Sequence, residues 1–371
     1  MRRAAVHKAT LSIQEDVPLA PKTTIGLGGE ARHFAECTTP AQIRDALAFA
    51  ADRHLQVHIL GGGSNVIFGD DGFPGLVIRI ALRGISVIEG DPCAVTAAAG
   101  EEWDSFVGFC IDYNLGGLEC LSGIPGLVGA TPIQNVGAYG QEVSETIKYV
   151  RAMDRASFET LDIPAPNCWF GYRKSRFKVE DSGRYVVLAV TFGLRKNALP
   201  VVRYAELQQA LEAQGVELAP GPDGLLTLRN AVLGLRRRKS MVVDPADPHS
   251  RSVGSFFVNP VLSPEAFAAL QQICAAAGMT DPIPSFAAAV GTKVPAAWLV
   301  EHAGFPRGLR RGGVGISDNH SLALVNYGGT SRELLELATD IQRAVRERFG
   351  ITLVPEPVIV PPIPLPSLSA S

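Results

Sequence analysis

The stretch LGGGSNV, residues 60 to 66, places three consecutive glycines directly after a run of strand-forming residues. Glycine has no side chain, so the backbone N–H groups of such a loop can approach a ligand closely, and Ser64 and Asn65 add short polar side chains. A loop of this kind suits a pyrophosphate. It is not the phosphate loop of a nucleoside triphosphatase, because no Gly-Lys-Ser/Thr sequence follows it.

A second glycine-rich stretch, GIPGLVGATPIQNVGAYG at residues 123 to 140, follows on the next α/β unit. Its glycines, with Ala130 and Ala138, line a surface with too few side chains for a packed core, as if a large flat ligand filled it. Either loop alone is explained by tight turns. Together they predict a dinucleotide lying between two lobes.

A third glycine segment, GLGGEA at residues 26 to 31, fits the permissive form of the Rossmann pattern. In a Rossmann fold that loop opens a helix whose N-terminus faces the pyrophosphate. Here the strand-like ARHFAEC follows instead. We therefore interpret the match as accidental.

Around these loops the chain has a mixed α and β pattern. ARHFAEC, QVHIL and GLVIRI read as strands, and a helix is predicted from Pro40 with Thr39 as its cap. Similar alternation continues to the C-terminal end, so we predict an α+β protein of three domains. Residues 1–80 form the first lobe of a ligand-binding module, residues 81–244 with 350–371 form its second lobe, and residues 245–349 form a separate α/β domain. Residues 1–20 are expected to be a loose arm, and the Pro/Ser segment from about residue 361 a disordered tail.

Composition excludes several classes of function. A chain of 371 residues with 46% hydrophobic and 19% charged residues is typical of a globular protein with more than one domain. A net charge of -3 provides no basic field for nucleic acid or for an anionic membrane. The apolar runs are shorter than a signal peptide or membrane span requires, so we expect a cytoplasmic protein. The six cysteines and seven histidines lack metal-ligand spacing, which predicts reduced core thiols and no metal site.

Six motifs, in this order along the chain, resemble the UDP-N-acetylenolpyruvoylglucosamine reductase family (MurB), flavoenzymes of bacterial peptidoglycan synthesis. They are LGGGSN, IPGLVGATPIQNVGAYG, WFGYRKSRFK, VGSFFVNP, AAWLVEHAGF and VPEPVIV. GGGSN alone occurs across flavoproteins whose FAD domain is of the vanillyl-alcohol-oxidase type, so the resemblance rests on the complete ordered set. Tyr204 matches a tyrosine that marks the type I branch of the family.

The resemblance implies a two-lobed FAD-binding module of the vanillyl-alcohol-oxidase type, followed by a substrate-binding domain. It implies that NADPH reduces the bound FAD, and that UDP-N-acetylglucosamine enolpyruvate then takes a hydride at its terminal methylene carbon to become UDP-N-acetylmuramate. We expect a monomer that acts on this small molecule, without a nucleic-acid or membrane partner. The residues assigned to FAD are Gly61, Gly62, Gly63, Ser64, Asn65, Pro125, Gly126, Gly129, Ala130, Gln134, Asn135, Gly137 and Ala138.

Hydride delivery leaves a carbanion beside a carboxylate, best drawn as an enolate, which must be stabilised and then protonated. By family position, Arg173 binds the substrate carboxylate with two hydrogen bonds and Glu356 helps to stabilise the enolate. Ser255 matches the proton donor, and a weak acid suffices because the enolate is strongly basic. The positions assigned to the substrate are Tyr139, Tyr172, Tyr204, Lys239 and Asn259, of which the last three would hold the diphosphate.

Two other functions stay open at this point. A related flavoenzyme, an oxidase or dehydrogenase of a small alcohol or sugar, would use oxygen or another acceptor in place of NADPH. A non-catalytic regulator that binds a nucleotide sugar or a flavin would keep the fold without turnover.

The chain also departs from the family pattern at Val258, where many relatives have a lysine.

Overall fold

A computed structural model of the protein describes residues 10–288 and 290–362. Contacts between residues divide the chain into two units. Unit 1 contains the described residues up to Val17 together with Glu30–Gly62 and Phe73–Leu235, and unit 2 contains Pro18–Gly29, Gly63–Gly72 and the described residues from Arg236 onward. The glycine loop at residues 61–65 therefore passes from one unit into the other. The predicted tail lies, from residue 363, outside the described residues.

Helices and mainly antiparallel sheets alternate along the described residues, which confirms the predicted α+β class. The strands are β1 Ile13–Pro18, β2 Glu30–Cys37, β3 Val57–Leu60, β4 Val66–Phe68, β5 Phe73–Ile80, β6 Ile85–Ile88, β7 Cys93–Ala98, β8 Leu115–Gly116, β9 Gly137–Ala138, β10 Gln141–Glu142, β11 Ile147–Asp154, β12 Thr160–Pro164, β13 Tyr185–Lys196, β14 Ser252–Ser255, β15 Val261–Leu262, β16 Phe286–Ala287, β17 Thr292–Lys293, β18 Arg310–Arg311, β19 Val314–Ile316, β20 Ala323–Asn326 and β21 Val358–Val360. The α-helices are α1 Pro40–Asp52, α2 Trp103–Asp112, α3 Ala205–Glu212, α4 Pro222–Arg238, α5 Pro264–Ala276, α6 Ala296–His302 and α7 Ser331–Phe349. Within the described ranges, no helix combines the length and the apolar character that crossing a membrane requires.

The first sheet of unit 1 has the strand order β1-β2-β5-β3, with β5 parallel to both β2 and β3. The predicted helix begins at Pro40, and Thr39 and Gln42 form a capping box that satisfies the first N–H groups. Residues 13–18 form β1 beside β2, so the prediction of a loose arm is wrong there. The reason is packing, because the side chain of Ile13 lies against the core of unit 1.

The second sheet of unit 1 has the strand order β12-β11-β13-β7-β6 and is antiparallel throughout. Helix α2 covers it, and Trp103 and Phe106 from this helix pack against Phe192 with ring centroids 5.2 to 5.9 Å apart. Trp103 is a buried core residue. Trp169 is 51% exposed instead, and its ring stacks under the guanidinium of Arg176.

The charge state of His58, on β3, links the stability of unit 1 to pH. Burial lowers the pKa of His58 to about 4, and the positive charge of Arg155 acts in the same direction. The pKa of an unfolded histidine is about 6.5, so the unfolded state takes up this proton first as the pH falls. The stabilising contribution is therefore complete above about pH 6.5 and is lost between about pH 6.5 and pH 4.

We expect this group to account for a loss of roughly 2–3 kcal/mol in the free energy of unfolding over that range. Urea unfolding at a series of pH values, for the wild type and for His58→Gln, measures the effect. The variant should show a shallower dependence on pH. Equal slopes for the two proteins would mean that His58 titrates normally in the folded state.

Unit 2 is built on the antiparallel sheet β14-β20-β19-β18 with helices α5, α6 and α7 packed around its core. Phe256 and Phe257 are fully buried in this core, so the aromatic pair of VGSFFVNP is a packing feature. The C-terminal strand β21 was expected to join the second lobe, and its hydrogen-bonded partner is the parallel strand β4. Unit 1 itself holds two larger sheets and the two-stranded sheet β10-β9. The boundaries of the three predicted domains stay a prediction.

All six cysteines are buried and free, which confirms their prediction as core residues. Burial raises the pKa of the Cys37, Cys120 and Cys168 thiols to about 12. A thiol with such a pKa carries almost no thiolate at neutral pH, and thiolate is the nucleophilic form. These side chains therefore contribute packing.

Candidate functional site

The two glycine loops contact each other through their backbones in unit 1. A Cβ atom added to Gly62 would lie 3.0 Å from the Cα atom of Gly126. Gly126 itself has φ +118°, a conformation that side chains disfavour. At Gly129 an added Cβ would lie 2.5 Å from the Cβ of Ala99. The structure thus brings together the first and second loops, and it needs glycine where they touch.

The other half of the first loop, in unit 2, is tied to the segment that carries Glu356. Asn65 donates from its side-chain amide to the carbonyl oxygen of Glu356 at 3.3 Å. The N–H of Val358 donates to the carbonyl oxygen of Asn65 at 3.0 Å. Asn65 and Glu356 are therefore neighbours at the start of one pair of strands. The sequence assigned Asn65 to the cofactor and Glu356 to catalysis.

Gly63 is required in this loop for two reasons. Its φ is +68°, and an added Cβ would lie 2.0 Å from the carbonyl oxygen of Lys22. We expect Gly63→Ala to reduce the free energy of unfolding by about 3 kcal/mol or more, since backbone strain and a backbone clash add together. Chemical denaturation measures this loss. The matched control is Gly215→Ala, because Gly215 has φ +64° but open space around the added atom.

The control variant should lose only about 1 kcal/mol, the usual cost of a left-handed conformation for alanine. If both variants lose the same amount, the contact between Gly63 and Lys22 is not tight. The sequence pattern GGG by itself does not distinguish the three glycines, whereas the structure assigns the strictest requirement to the third.

Arg173 lies at the tip of a tight turn that the second glycine loop holds in place. Gly171 and Lys174 exchange two backbone hydrogen bonds of 3.0 Å across the turn. Arg173 has φ +53°, and its guanidinium donates to the carbonyl oxygen of Gly137 at 2.8 Å. The hydroxyl of Ser175 donates to the carbonyl oxygen of Ile133 at 2.5 Å. The predicted carboxylate-binding arginine and the predicted FAD loop are thus in direct contact.

Asn135 is the centre of this arrangement. Asn135 is buried, and its side-chain amide donates to Glu142 at 2.7 Å and to the carbonyl oxygen of Gly171 at 3.1 Å. Its side-chain oxygen accepts from the N–H of Ser144 at 3.1 Å. These three hydrogen bonds fix the loop to the turn of Arg173. A contribution of Asn135 to cofactor binding would therefore come from its backbone.

Three tyrosines assigned to the substrate lie near one another in unit 1. The rings of Tyr139 and Tyr204 meet edge to face with centroids 5.5 Å apart, and Tyr172 contributes to the electrostatic environment of Tyr204. Burial raises the pKa of the Tyr204 hydroxyl above its usual value, and Glu206 and Tyr172 add to the shift. This hydroxyl therefore stays protonated at neutral pH and is available as a hydrogen-bond donor to an anion.

Ser255 and Glu356 lie on adjacent segments of unit 2. The N–H of Glu356 donates to the carbonyl oxygen of Phe256 at 2.8 Å, and Phe257 forms a β-bridge with Pro355. Ser255 ends β14, directly before these contacts. Gly254, which precedes it, has φ +74°. Backbone contacts thus join the segment of the predicted proton donor to the segment of the predicted acidic partner, although the two residues lie 101 positions apart in the numbering.

Sequence reasoning missed His320. Its Nε2 atom lies 3.2 Å from the Oγ atom of Ser255. A single histidine in the segment SDNHS, with no ligand spacing around it, was interpreted as one of seven dispersed histidines. The only available signal was its place just before the strand-like SLALVNY, which forms β20 beside β14.

The two residues of unit 2 assigned to the diphosphate have defined local settings. Lys239 follows the last turn of α4, where its N–H donates to the carbonyl oxygen of Arg236 at 3.1 Å. The side-chain oxygen of Asn259 accepts from the N–H of Ala296, the first residue of α6, at 2.8 Å. This bond orients the amide group of Asn259, so that its Nδ2 donors point away from the helix.

The glycine loops fit a dinucleotide such as FAD. Gly63, Gly126, Asn135 and Tyr139 all have positive φ angles, a conformation that also occurs in the backbone turns that bind anions. Space next to Gly61 is limited only by Ala130 and Leu127, whose side chains would lie 3.9 Å from an added Cβ. The residues that would hold the cofactor are those of the two loops, with small side chains where a flat ring could lie.

Two family models match the chain. Residues 245–360 match the C-terminal domain of UDP-N-acetylenolpyruvoylglucosamine reductase, and residues 31–161 match an FAD binding domain. The UDP-N-acetylenolpyruvoylglucosamine reductase of Thermobifida fusca is 46% identical over 357 residues, covering 95% of this chain and 99% of the relative. The protein of that name from Mycolicibacterium smegmatis is 44% identical over 365 residues, covering 96% and 98%.

Among solved structures, the crystal structure of UDP-N-acetylenolpyruvylglucosamine reductase from Thermus caldophilus is similar, with a TM-score of 0.64. It covers 94% of this chain and 99% of that chain at 23% identity, so it supports the fold. The assignment to a family rests on the sequence identity to the bacterial relatives, which extends over nearly the full length of the chain. The chain belongs to the UDP-N-acetylenolpyruvoylglucosamine reductase family, a family of FAD-dependent oxidoreductases.

Proposed function

We propose that this protein catalyses the NADPH-dependent reduction of UDP-N-acetylglucosamine enolpyruvate to UDP-N-acetylmuramate, in the synthesis of peptidoglycan precursors in the cytoplasm. The observation that carries the proposal is the pairing of two segments in unit 2. The N–H of Glu356 donates to the carbonyl oxygen of Phe256, which joins the segment that carries Glu356 to the segment that carries Ser255. A serine and a glutamate at one place supply a proton donor and a partner for an enolate, which an oxidase of a simple alcohol does not need.

Bound FAD would supply the hydride that the substrate takes at its methylene carbon. Each remaining requirement falls to a side chain of this protein. The Arg173 guanidinium would bind the substrate carboxylate, and its contact with Gly137 sets the direction in which its other N–H groups point. The hydroxyl of Ser255 would donate its proton to the carbon next to the carboxylate. Glu356 would hydrogen-bond the enolate oxygens as charge builds up on them.

The diphosphate of the substrate would be held by Tyr204, Lys239 and Asn259. The raised pKa of Tyr204 keeps its hydroxyl a donor, and Lys239 contributes a positive charge. Arg236 donates to the carbonyl oxygen of Met241, so its guanidinium has a structural role at the end of α4. Arg237 and Arg238 are exposed, in agreement with a solvated basic face.

An anaerobic half-reaction experiment tests the proposed function. The purified protein is reconstituted with FAD, reduced with NADPH until the flavin absorbance is bleached, and then mixed with UDP-N-acetylglucosamine enolpyruvate. Return of the flavin absorbance together with formation of UDP-N-acetylmuramate is the expected result. If only oxygen restores the absorbance, the protein is an oxidase of another substrate.

A further inference from the structure

We propose that His320 is a positioning residue for proton donation by Ser255, with its Nε2–H donating a hydrogen bond to the Oγ atom of Ser255. The inference rests on the proposed function, in which Ser255 is the proton donor. It adds a residue to which neither the family motifs nor the sequence pattern assigns a role. The two side chains lie in the same unit, and their Nε2 and Oγ atoms are 3.2 Å apart.

The backbone around this contact is held by several hydrogen bonds. Ser255 pairs with Ala323 in the register between β14 and β20, and the N–H of Phe256 donates to the carbonyl oxygen of Leu322 at 2.8 Å. The N–H of Ala323 also donates to the carbonyl oxygen of His320 at 3.0 Å. The strand that ends in the serine and the turn that carries the histidine are therefore parts of one hydrogen-bonded structure.

A second set of contacts fixes the turn from its other side. The side-chain amide of Asn319 donates to the hydroxyl of Ser240 at 2.9 Å, and the N–H of Asn319 donates to the hydroxyl of Ser317 at 3.1 Å. Ser240 is buried and has φ +55°. It directly follows Lys239, so the turn of His320 connects the proposed proton donor with the proposed diphosphate-binding lysine.

The direction of the hydrogen bond follows from the chemistry required of Ser255. A serine hydroxyl has a single hydrogen, and that hydrogen must point at the substrate carbon when it is transferred. If Oγ donated to His320 instead, the hydrogen would point away from the substrate. With the hydrogen on Nε2, the imidazole donates to a lone pair of Oγ and leaves the serine hydrogen directed elsewhere.

The same hydrogen bond stabilises the oxygen after proton transfer. As the Oγ–H bond breaks and the new C–H bond forms on the substrate, the electron pair of the O–H bond stays on Oγ as negative charge. A donor already aimed at Oγ becomes a charge-assisted hydrogen bond at that moment. Oγ then regains a proton from water, and His320 keeps its own proton throughout.

The test compares His320→Ala, His320→Gln, Ser255→Ala and the double variant Ser255→Ala/His320→Ala in the two half-reactions. We expect His320→Ala to slow reoxidation of the flavin by UDP-N-acetylglucosamine enolpyruvate on the order of 10²-fold, with reduction by NADPH unchanged. His320→Gln should restore much of the rate, because its side-chain amide can donate to Oγ. The double variant should be no slower than Ser255→Ala, since the histidine acts through the serine.

The same experiment distinguishes a failure of the role of His320 from a failure of the proposed function. If the wild type does not turn over the enolpyruvate, the proposed function fails. If the wild type turns over and His320→Ala matches it, or if the two substitutions reduce the rate independently, only the role of His320 is overturned. Thermal unfolding of each variant and the control His302→Gln, whose ring bonds the carbonyl oxygen of Trp298, separate a loss of stability from a loss of positioning.

A spectroscopic measurement tests the contact without turnover. In protein labelled with ¹⁵N at histidine, the Nε2 resonance of His320 should have the chemical shift of a protonated nitrogen. It should move on the substitution Ser255→Ala, which removes the acceptor. A shift typical of an unprotonated Nε2, or no change in the variant, would overturn the proposed direction of the hydrogen bond.

Discussion

Replacement of Ser255 by alanine is expected to slow reoxidation of the reduced flavin by UDP-N-acetylglucosamine enolpyruvate by about 10²- to 10⁴-fold, the usual contribution of a positioned proton donor. The substitution removes one hydroxyl beside Phe256, which stays buried in the core of unit 2. The enolate formed in the variant must take its proton from water in place of the serine hydroxyl. Stopped-flow absorbance of the flavin measures both half-reactions.

Reduction of the flavin by NADPH should keep its wild-type rate in this variant, because Ser255 acts only in the half-reaction with the enolpyruvate, where protonation of the enolate prevents return of the hydride to the flavin. The control variant is Ser263→Ala, which removes a serine hydroxyl that caps α5. We expect this control to lose about 1 kcal/mol of stability but none of the rate. A Ser255→Ala protein that reoxidises as fast as the wild type would assign proton donation to another group.

Substitution of Arg173 is the second large effect. Arg173→Gln keeps a side chain of similar reach but removes the charge, and we expect kcat/KM for the enolpyruvate to fall on the order of 10²- to 10³-fold. Arg173→Lys keeps the charge but not the planar fork that binds a carboxylate through two hydrogen bonds. We expect the lysine variant to lie between glutamine and the wild type. Steady-state kinetics with varied enolpyruvate concentration measure both.

Arg151→Lys is the matched control, because Arg151 forms an exposed ion pair with Asp162 on strands β11 and β12. It should leave kcat/KM unchanged, in agreement with the small contribution of exposed ion pairs. If Arg173→Gln affects reduction by NADPH as strongly as reoxidation by the enolpyruvate, the arginine does not act on the substrate carboxylate. Its hydrogen bond to Gly137 would then be its main contribution, through the glycine loop.

Local sequence patterns were sufficient to predict those helices and strands whose own residues show strand alternation or helix capping. The alternation of ARHFAEC predicts β2, and Thr39, Pro40 and Gln42 predict the start of α1, because strand pleat and helix capping depend on residues within one turn or a few positions. β1 and β4 were missed. Each is paired with a strand from elsewhere in the chain, β2 for the first and β21 for the second, and local sequence carries no signal for such a pairing.

The sequence by itself determined the family, the α+β class and the two glycine loops, and it predicted Arg173, Ser255 and Glu356 as the catalytic residues, since each of these depends on residue types in a fixed order. Only the tertiary structure decided which residues act as neighbours. It ties Asn135 to the turn of Arg173, pairs the segment of Glu356 with that of Ser255, and brings His320 to 3.2 Å from the serine hydroxyl. The physical reason is that hydrogen bonds act over about 3 Å in space, whereas 36 to 101 positions of chain separate these partners. Only the packing of strands and loops brings them together.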